Sequence, residues 1–367
     1  MKVFLIAGAR PNFMKIAPLF RASQCFEKAE CYLIHTGQHY DYEMSQAFFN
    51  DLKLPAPDFY LQAGSGSHAV QTAKIMVRFE ELCLKIRPDL VILVGDVNST
   101  LACSVVAKKM MIPVAHVEAG LRSYDMGMPE EINRLVTDTL SDYFFVTEQS
   151  GIDNLIKEGK PKERIHFVGN VMVDNLYFQL QTLENAPLDP VSDNLKKTYK
   201  QYGFLTLHRP SNVDNGEIFR DLCEALNQIA ENLPLIFPVH PRTKKMIEKH
   251  NIAFSERVHR VEPLGFKQAL NLWKDAKLVL TDSGGLQEET TALGIPCMTI
   301  RNNTERPITI ELGTNVLAGN TKASILKTYD KINRASHGSS KSPPLWDGRA
   351  AERIWSILFD YKKKACF

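Results

Sequence analysis

Short apolar runs alternate with segments of helical periodicity along almost the whole chain, and this alternation constrains the fold more than any other feature. In the first half the runs are residues 3–7, 31–36, 90–94, 114–117, 143–146 and 165–168. In the second they are 204–207, 235–239, 258–261, 278–281, 297–300 and 315–317. Between them lie helical patterns such as 100–111, 130–140, 218–232, 267–274 and 286–293. The runs are apolar throughout rather than at every second position. Strands of that kind are buried on both faces, which predicts α/β architecture with parallel sheets covered by helices on either side. Two series of about six strands predict two Rossmann-like, doubly wound domains, and 367 residues are enough for two cores. Residues 182–193 (TLENAPLDPVSD) read as the linker because they are rich in Pro, Asp, Asn and Ser. The expected domains are therefore 1–181 and 182–348. A terminal helix, 349–367, places Ile354, Trp355, Leu358 and Phe359 on one apolar face and is expected to pack back on the first domain.

Composition excludes several function classes. A net charge of +2 without a basic stripe gives no footprint for nucleic acid. No apolar run approaches the roughly 18 residues that span a bilayer. The N-terminal apolar run ends at Gly-Ala-Arg-Pro and reads as a first strand rather than a signal peptide. Seven cysteines without a CxxC pair read as small buried hydrophobes in a reducing compartment, so the expected location is cytoplasmic. There is no GxGxxG fingerprint and no Walker A lysine, which argues against nicotinamide, flavin and ATP. No HExxH, HxH or DxD cluster is present, so neither a metal nor any other cofactor is expected.

In open parallel sheets ligands bind beyond the carboxyl ends of the strands, and there the chain is polar. The first strand runs into Gly8-Ala9-Arg10-Pro11 with Lys15 a turn later, a pair of cations suited to phosphate or sugar oxygens. Gly95-Asp96 follows the strand at 90–94, where Asp96 equally suits a helix N-cap. Glu118 interrupts an apolar strand end, a costly burial without a partner, and Arg122 is one candidate for that partner. Glu130 opens a helix behind Pro129, and Arg134 lies one turn further on. Carboxylates gathered in one place push their pKa values apart and so divide into acid and base. In the second half, His208 and His240 each end a strand. Ser283-Gly284-Gly285 sits where a strand turns into a helix, leaving exposed amides as a diphosphate cradle. Glu289 follows one turn later, placed to accept hydrogen bonds from ribose hydroxyls. Arg306 lies in Asn303-Thr304-Glu305-Arg306-Pro307 ahead of another helix.

Taken in order, Gly8–Lys15, Thr36-Gly37-Gln38-His39, Gly95-Asp96, His116–Arg122, Pro129–Arg134, His208-Arg209, Asp282–Glu289 and Thr304–Pro307 resemble the non-hydrolysing UDP-N-acetylglucosamine 2-epimerases over about residues 1–320. The resemblance implies a GT-B-like fold with a ligand cleft between the domains, a UDP-sugar substrate, no cofactor and a homodimer. It implies exchange of UDP-GlcNAc and UDP-ManNAc by elimination of UDP to a 2-acetamidoglucal and re-addition on the other face. By motif match Asp96, Glu118, Glu130 and His208 are the catalytic positions. Arg10, Lys15, Arg134, His240, Ser283, Gly284, Gly285, Glu289 and Arg306 are substrate-binding positions, and Phe266 is placed to stack on uracil. Gln38 and His39 correspond to a regulatory site.

The chain departs from the family pattern at Ala9, where the family commonly has Thr, and at Pro210-Ser211-Asn212 after His208-Arg209. Tyr40-Asp41 stands where bacterial members carry a second regulatory Gln. These changes leave open a modified UDP-sugar of the diacetamido-uronic acid type. A hydrolysing epimerase releasing ManNAc and UDP, and a GT-B glycosyltransferase, are the other readings. Which carboxylate is acid and which is base stays open at this level.

Overall fold

The computed structural model describes residues 1–37, 49–184, 190–334 and 342–365. The chain divides into two units, Met1–Phe178 with Pro344–Phe367, and Gln179–Pro343. The first unit contains strands Lys2–Ala7 (β1), Glu30–His35 (β2), Phe59–Tyr60 (β3), Leu90–Val94 (β4), Val114–Val117 (β5), Tyr143–Val146 (β6) and Ile165–Phe167 (β7). They form one sheet in the order β3-β2-β1-β4-β5-β6-β7, with every pairing parallel. The second unit contains Gly203–Thr206 (β8), Leu235–Pro238 (β9), Val258–Val261 (β10), Leu278–Thr281 (β11), Cys297–Thr299 (β12) and Asn315–Leu317 (β13). Their order, β10-β9-β8-β11-β12-β13, is again parallel throughout.

Both sheets wind outward from their first strand to one edge, then return beside that strand and wind to the other edge. The reversals lie between β1 and β4 and between β8 and β11. At such a switch point the two flanking connections leave toward opposite faces and open a crevice above the strand ends. The continuous apolar runs have the cause inferred from the sequence. All five residues of β4 are buried, and helices cover both faces of the sheet. On one face Phe4, Ile6, Val91 and Leu93 meet Phe79 and Cys103 from helices His68–Ile86 and Asn98–Lys109. In the second unit the amphipathic helix Gly216–Asn232 packs Phe219, Leu222 and Leu226 against Leu205, Phe237 and Leu280.

The terminal helix Ala350–Ala365 belongs to the first unit. Trp355 is fully buried and its Nε1 donates to the Leu19 carbonyl at 2.8 Å, so a large apolar body is buried without stranding its one donor. Phe359 stacks on Phe26 with ring centroids 5.1 Å apart. Asp174 accepts from the Ala350 and Ala351 amides at 3.1 and 2.7 Å, satisfying the first donors of that helix. Burial pushes its carboxyl up to about 6 despite these bonds.

Three expectations change. Residues 182–184 belong to helix Val171–Glu184, and 190–193 open helix Pro190–Thr198. Pro190 and Asp193 are helix-start chemistry there, not linker chemistry. Strand β3 escaped notice because two residues carry no readable periodicity; it is fixed by pairing with Ile34 and His35. Among the cysteines, 83, 103, 223 and 297 are buried, but Cys25 is exposed and Cys31 half-buried. Cys366, Gln38 and His39 lie outside the described residues. Among the described residues no helix is long and apolar enough to cross a membrane, and no group of three His, Cys, Asp or Glu is arranged to hold a metal ion.

The exit from β5 depends on backbone shape. Gly120 has φ +80°, and a Cβ there would stand 2.3 Å from the Gly151 carbonyl oxygen. Gly120→Ala combines a left-handed backbone with a backbone clash that no side chain can relieve. It should lower unfolding free energy by about 2 kcal/mol or more, read from the urea midpoint at unchanged slope.

Candidate active site

The anticipated residues fall into two groups, one on each unit, and both stand at the switch points. On the first unit, Gly8-Ala9 join β1 to helix Arg10–Ser23. The Asn12 side chain ties this turn to its neighbour. Its Oδ1 accepts from the Ala9 amide at 3.0 Å, and its Nδ2 donates to the Val94 carbonyl at 3.0 Å. Lys15, one turn into the helix, is buried and its ammonium pairs with Glu118 at the end of β5. Gly95 makes this reach possible: a Cβ at that position would lie 3.1 Å from Lys15 Nζ.

Glu118 is 1% exposed and holds φ +70°, a costly backbone for a residue with a side chain. Arg134 supplies its second cation. One nitrogen, Nη2, lies 3.0 Å from Glu118 Oε1 and 2.6 Å from Asp96 Oδ2. The Asp96 side chain remains 29% exposed. Asp96 therefore does not cap the following helix; that position belongs to Val97, which makes no side-chain cap. Arg122 is likewise not the partner of Glu118. It pairs with Asp138 and Glu158, each at 2.7 Å.

Glu130 and Glu131, adjacent in sequence, have opposite fates. Glu131 is buried and its carboxylate accepts from the Ser123 amide and hydroxyl, both at 2.8 Å, and from the Tyr124 amide at 3.2 Å. It shapes the loop ahead of the helix. Glu130 is exposed, one turn before Arg134 on the same helix, and carries no ion pair among the described residues. Arg10 is exposed at the first helical position.

On the second unit a buried Asp282 follows β11 and fastens the end of β8. It accepts from the His208 amide at 3.0 Å, the Arg209 amide at 2.8 Å and Asn212 Nδ2 at 3.2 Å. It also meets His208 Nδ1 at 3.0 Å. Burial would raise the Asp282 carboxyl, but these bonds and His208 hold it below its ordinary value. The His208 side chain is 42% exposed, and its ring lies 5.8 Å from that of His240. Burial, then His208 and Arg242, depress His240, so it favours the neutral ring. Its Nδ1 accepts from the Arg242 amide at 3.2 Å as a helix cap.

Helix Gly284–Leu293 starts behind Ser283, whose side chain makes no cap bond. The first-turn amides of such a helix start are donors for an anion. Arg306 pairs with Glu288 at 2.8 Å rather than with Glu289. Glu289 is buried, and burial followed by the charge of Glu288 pushes its carboxyl up to about 8. It can thus donate as well as accept at neutral pH, where the sequence suggested an acceptor. Phe266 is half-buried at the start of helix Phe266–Trp273. The sequence reading gave no role to Asn12, Glu131, Asp138 or Asp282, although Asp282 opens one of the ordered motifs. The i, i+4 spacing of Arg134 and Asp138 was the one available signal that a second charged group shares the inner face of that helix.

The raised Glu289 carboxyl has a consequence for stability. Its folded value exceeds the ordinary 4.5, so its contribution to folding is complete below that value and is lost as pH rises through about 8. Thermal melts between about pH 5 and pH 8 should therefore show wild type losing Tm with rising pH more steeply than Glu289→Gln. Equal slopes would count against the raised carboxyl.

Comparison with known proteins covers both units. The family model for UDP-N-acetylglucosamine 2-epimerase matches residues 22–359. A UDP-N-acetylglucosamine 2-epimerase of Methanocaldococcus jannaschii is 40% identical over 98% of this chain and 99% of its own. A UDP-2,3-diacetamido-2,3-dideoxy-D-glucuronate 2-epimerase of Pseudomonas aeruginosa is 39% identical over 89% of this chain and 91% of its own. Among solved structures, the M. jannaschii UDP-GlcNAc 2-epimerase in complex with UDP-GlcNAc and UDP aligns with a TM-score of 0.87 at 40% identity, covering 98% of this chain and 99% of that one. The Neisseria meningitidis UDP-GlcNAc 2-epimerase bound to UDP-GlcNAc aligns with a TM-score of 0.87 at 27% identity, covering 98% and 100%. The two parallel sheets with interleaved helices are the GT-B-like α/β architecture of these proteins. With matches that span both units, the chain belongs to the UDP-N-acetylglucosamine 2-epimerase family.

Proposed function

We propose that this protein is a non-hydrolysing epimerase that inverts C2 of UDP-N-acetylglucosamine, giving UDP-N-acetylmannosamine without metal or redox cofactor. The observation that carries the reading is the Arg134 guanidinium shared by Asp96 and Glu118 at the carboxyl ends of adjacent parallel strands, in a chain of this family.

The chemistry explains why such an arrangement is needed. The proton on C2 of the sugar is not acidic, so cleavage of the C1–O bond must lead, with UDP taking the bonding pair. A carboxylate then accepts the C2 proton, and the C–H electrons form the C1=C2 bond of a 2-acetamidoglucal. Re-addition of UDP at C1 and of a proton to the other face of C2 completes the inversion. Acid–base groups must therefore serve C2, and cationic and amide donors must serve the departing diphosphate. The first unit supplies the carboxylates. Glu118 has its oxygens engaged by Lys15 and Arg134, which holds it in a fixed place beside Asp96. Asp96 and Glu130 retain exposure and are the groups assigned to proton transfer. The second unit supplies the Ser283–Gly285 amides and His208, held on Asp282, for the leaving UDP. Arg10, Arg306 and Phe266 complete the substrate contacts in this reading, and a homodimer working in the cytoplasm is part of it.

A second reading has its own support. The P. aeruginosa relative, named for a UDP-diacetamido-glucuronate substrate, is 39% identical, close to the 40% of the M. jannaschii enzyme. Ala9 at the end of β1 marks a further departure from the usual family motif. The modified sugar would enter the same elimination.

NMR of UDP-GlcNAc with the pure protein in D₂O, without an acceptor, decides among these. Deuterium at C2 in both the UDP-GlcNAc and UDP-ManNAc pools is the expected result. Free ManNAc with UDP would replace the proposal with hydrolysis, and turnover of only the diacetamido-uronic sugar would favour the second reading. Asp96→Asn and Glu130→Gln should each lower kcat by roughly 10²–10⁴-fold with UDP affinity retained, as expected for lost acid–base catalysis. Near-normal turnover in both would overturn the assignment of proton transfer.

A further inference from the structure

Helix Pro129–Leu140 carries a second buried anchor besides Arg134. Asp138, four residues later and so on the same face, is fully buried. Its Oδ1 accepts from His116 Nδ1 at 2.7 Å. Its Oδ2 accepts from the Gly120 amide at 3.1 Å and pairs with Arg122 at 2.7 Å. The His116 ring, also fully buried, points Nε2 at the Gly95 carbonyl at 2.8 Å. Gly95 immediately precedes Asp96, and Gly120 lies two residues after Glu118. One carboxylate thus ties down the two backbone turns that carry the two acids. Asn133, on the same helix, adds a third hold by donating from Nδ2 to the Asp96 carbonyl at 2.9 Å.

Both nitrogens of the His116 ring are engaged, Nδ1 by Asp138 and Nε2 by the Gly95 carbonyl, so the ring is held in one orientation. Burial would raise the Asp138 carboxyl, but His116 and then Arg122 hold it below its ordinary value. Arg122 is in turn held by Glu158, with Nε 2.8 Å from Oε1.

We infer that Asp138 is a positioning residue for the epimerisation, acting on Gly95 through the His116 ring and on Gly120 directly, so that Asp96 and Glu118 are presented at a fixed separation. The inference rests on the epimerase reading above. Asp138 and His116 are fully buried, and the diphosphate donors of that reading belong to the other unit. Loosening the two turns therefore displaces the reacting carboxylates without weakening the hold on UDP. Misplacement of a reacting group by about 1 Å is enough to cost on the order of 10²-fold in rate.

The test uses the full chain. Asp138→Asn keeps the shape of the side chain but leaves one oxygen where two accept now. It should lower kcat roughly 10- to 100-fold while KM and UDP affinity stay within about twofold. His116→Gln should fall in the same range, and the double variant should be no slower than the worse single one, because both act along one path. In wild type labelled with ¹⁵N-histidine, the His116 ring, assigned by its loss in His116→Gln, should show an Nδ1 signal shifted by its hydrogen bond to Asp138. Asp138→Asn should change that signature. Unchanged kcat in Asp138→Asn, additive effects in the double variant, UDP affinity falling in step with kcat, or an Nδ1 signal unaltered by Asp138→Asn would each overturn the inference. If Asp138→Asn does not fold, the wild-type ring and the His116→Gln kinetics decide. A wild type that epimerises neither sugar would overturn the functional reading instead, and the ring measurement would still report on the His116–Asp138 pair.

Discussion

A single guanidinium nitrogen shared by two carboxylates organises the acidic edge of the first unit. Asp96 and Glu118 end adjacent parallel strands, so the sheet itself brings like charges together. Without a cation between them, neither the separation nor the backbone would be stable. Arg134 meets both, and Lys15 meets Glu118 from the helix after β1. A buried charge of this kind contributes little net stability when paired, but removing one partner typically costs about 3–5 kcal/mol because the other is stranded. The positive φ of Glu118 has the same logic. It is a local cost that persists because Lys15, Arg134 and the Gly120 turn fix the residue from three sides.

The second unit repeats the strand order with different chemistry. Both sheets reverse at their first strand, and in both a polar side chain bridges the reversal: Asn12 from β1 to β4, Asp282 from β11 to β8. In the first unit the bridge sits beside cations and carboxylates. In the second it fixes His208 next to a helix start whose capping side chain is unused. One architecture thus presents paired carboxylates and cations at the strand ends of one unit and a histidine beside an uncapped helix start on the other. A fold of this type hosts many activities; the side chains at its switch points carry the function.

The strands were legible because a strand buried on both faces must be apolar at every position, and this signal survives without any tertiary information. Leu90–Val94, Val114–Val117, Tyr143–Val146, Val258–Val261 and Leu278–Thr281 fall where the sequence placed them. The ordered motifs were also legible, since glycine and charge at strand ends mark a switch point. Partners were not. Arg122 is the charged residue nearest Glu118 in sequence, yet its partners are Asp138 and Glu158, 16 and 36 residues away from it. Glu130 and Glu131 cannot be ranked from sequence either. Rotation by one helical position buries one under the Ser123 loop and exposes the other.

The sequence alone determined that this chain forms two doubly wound parallel sheets, and it supplied the family motifs at their carboxyl ends. Periodicity and turn chemistry are local properties, written in neighbouring residues. The tertiary structure decided which charges meet: that Lys15 and Arg134 rather than Arg122 hold Glu118, that Asp138 holds His116, and that Glu289 is buried deeply enough to keep its proton. Charge pairing and desolvation depend on distances between residues far apart in the chain, and only the packed sheets and helices set those distances.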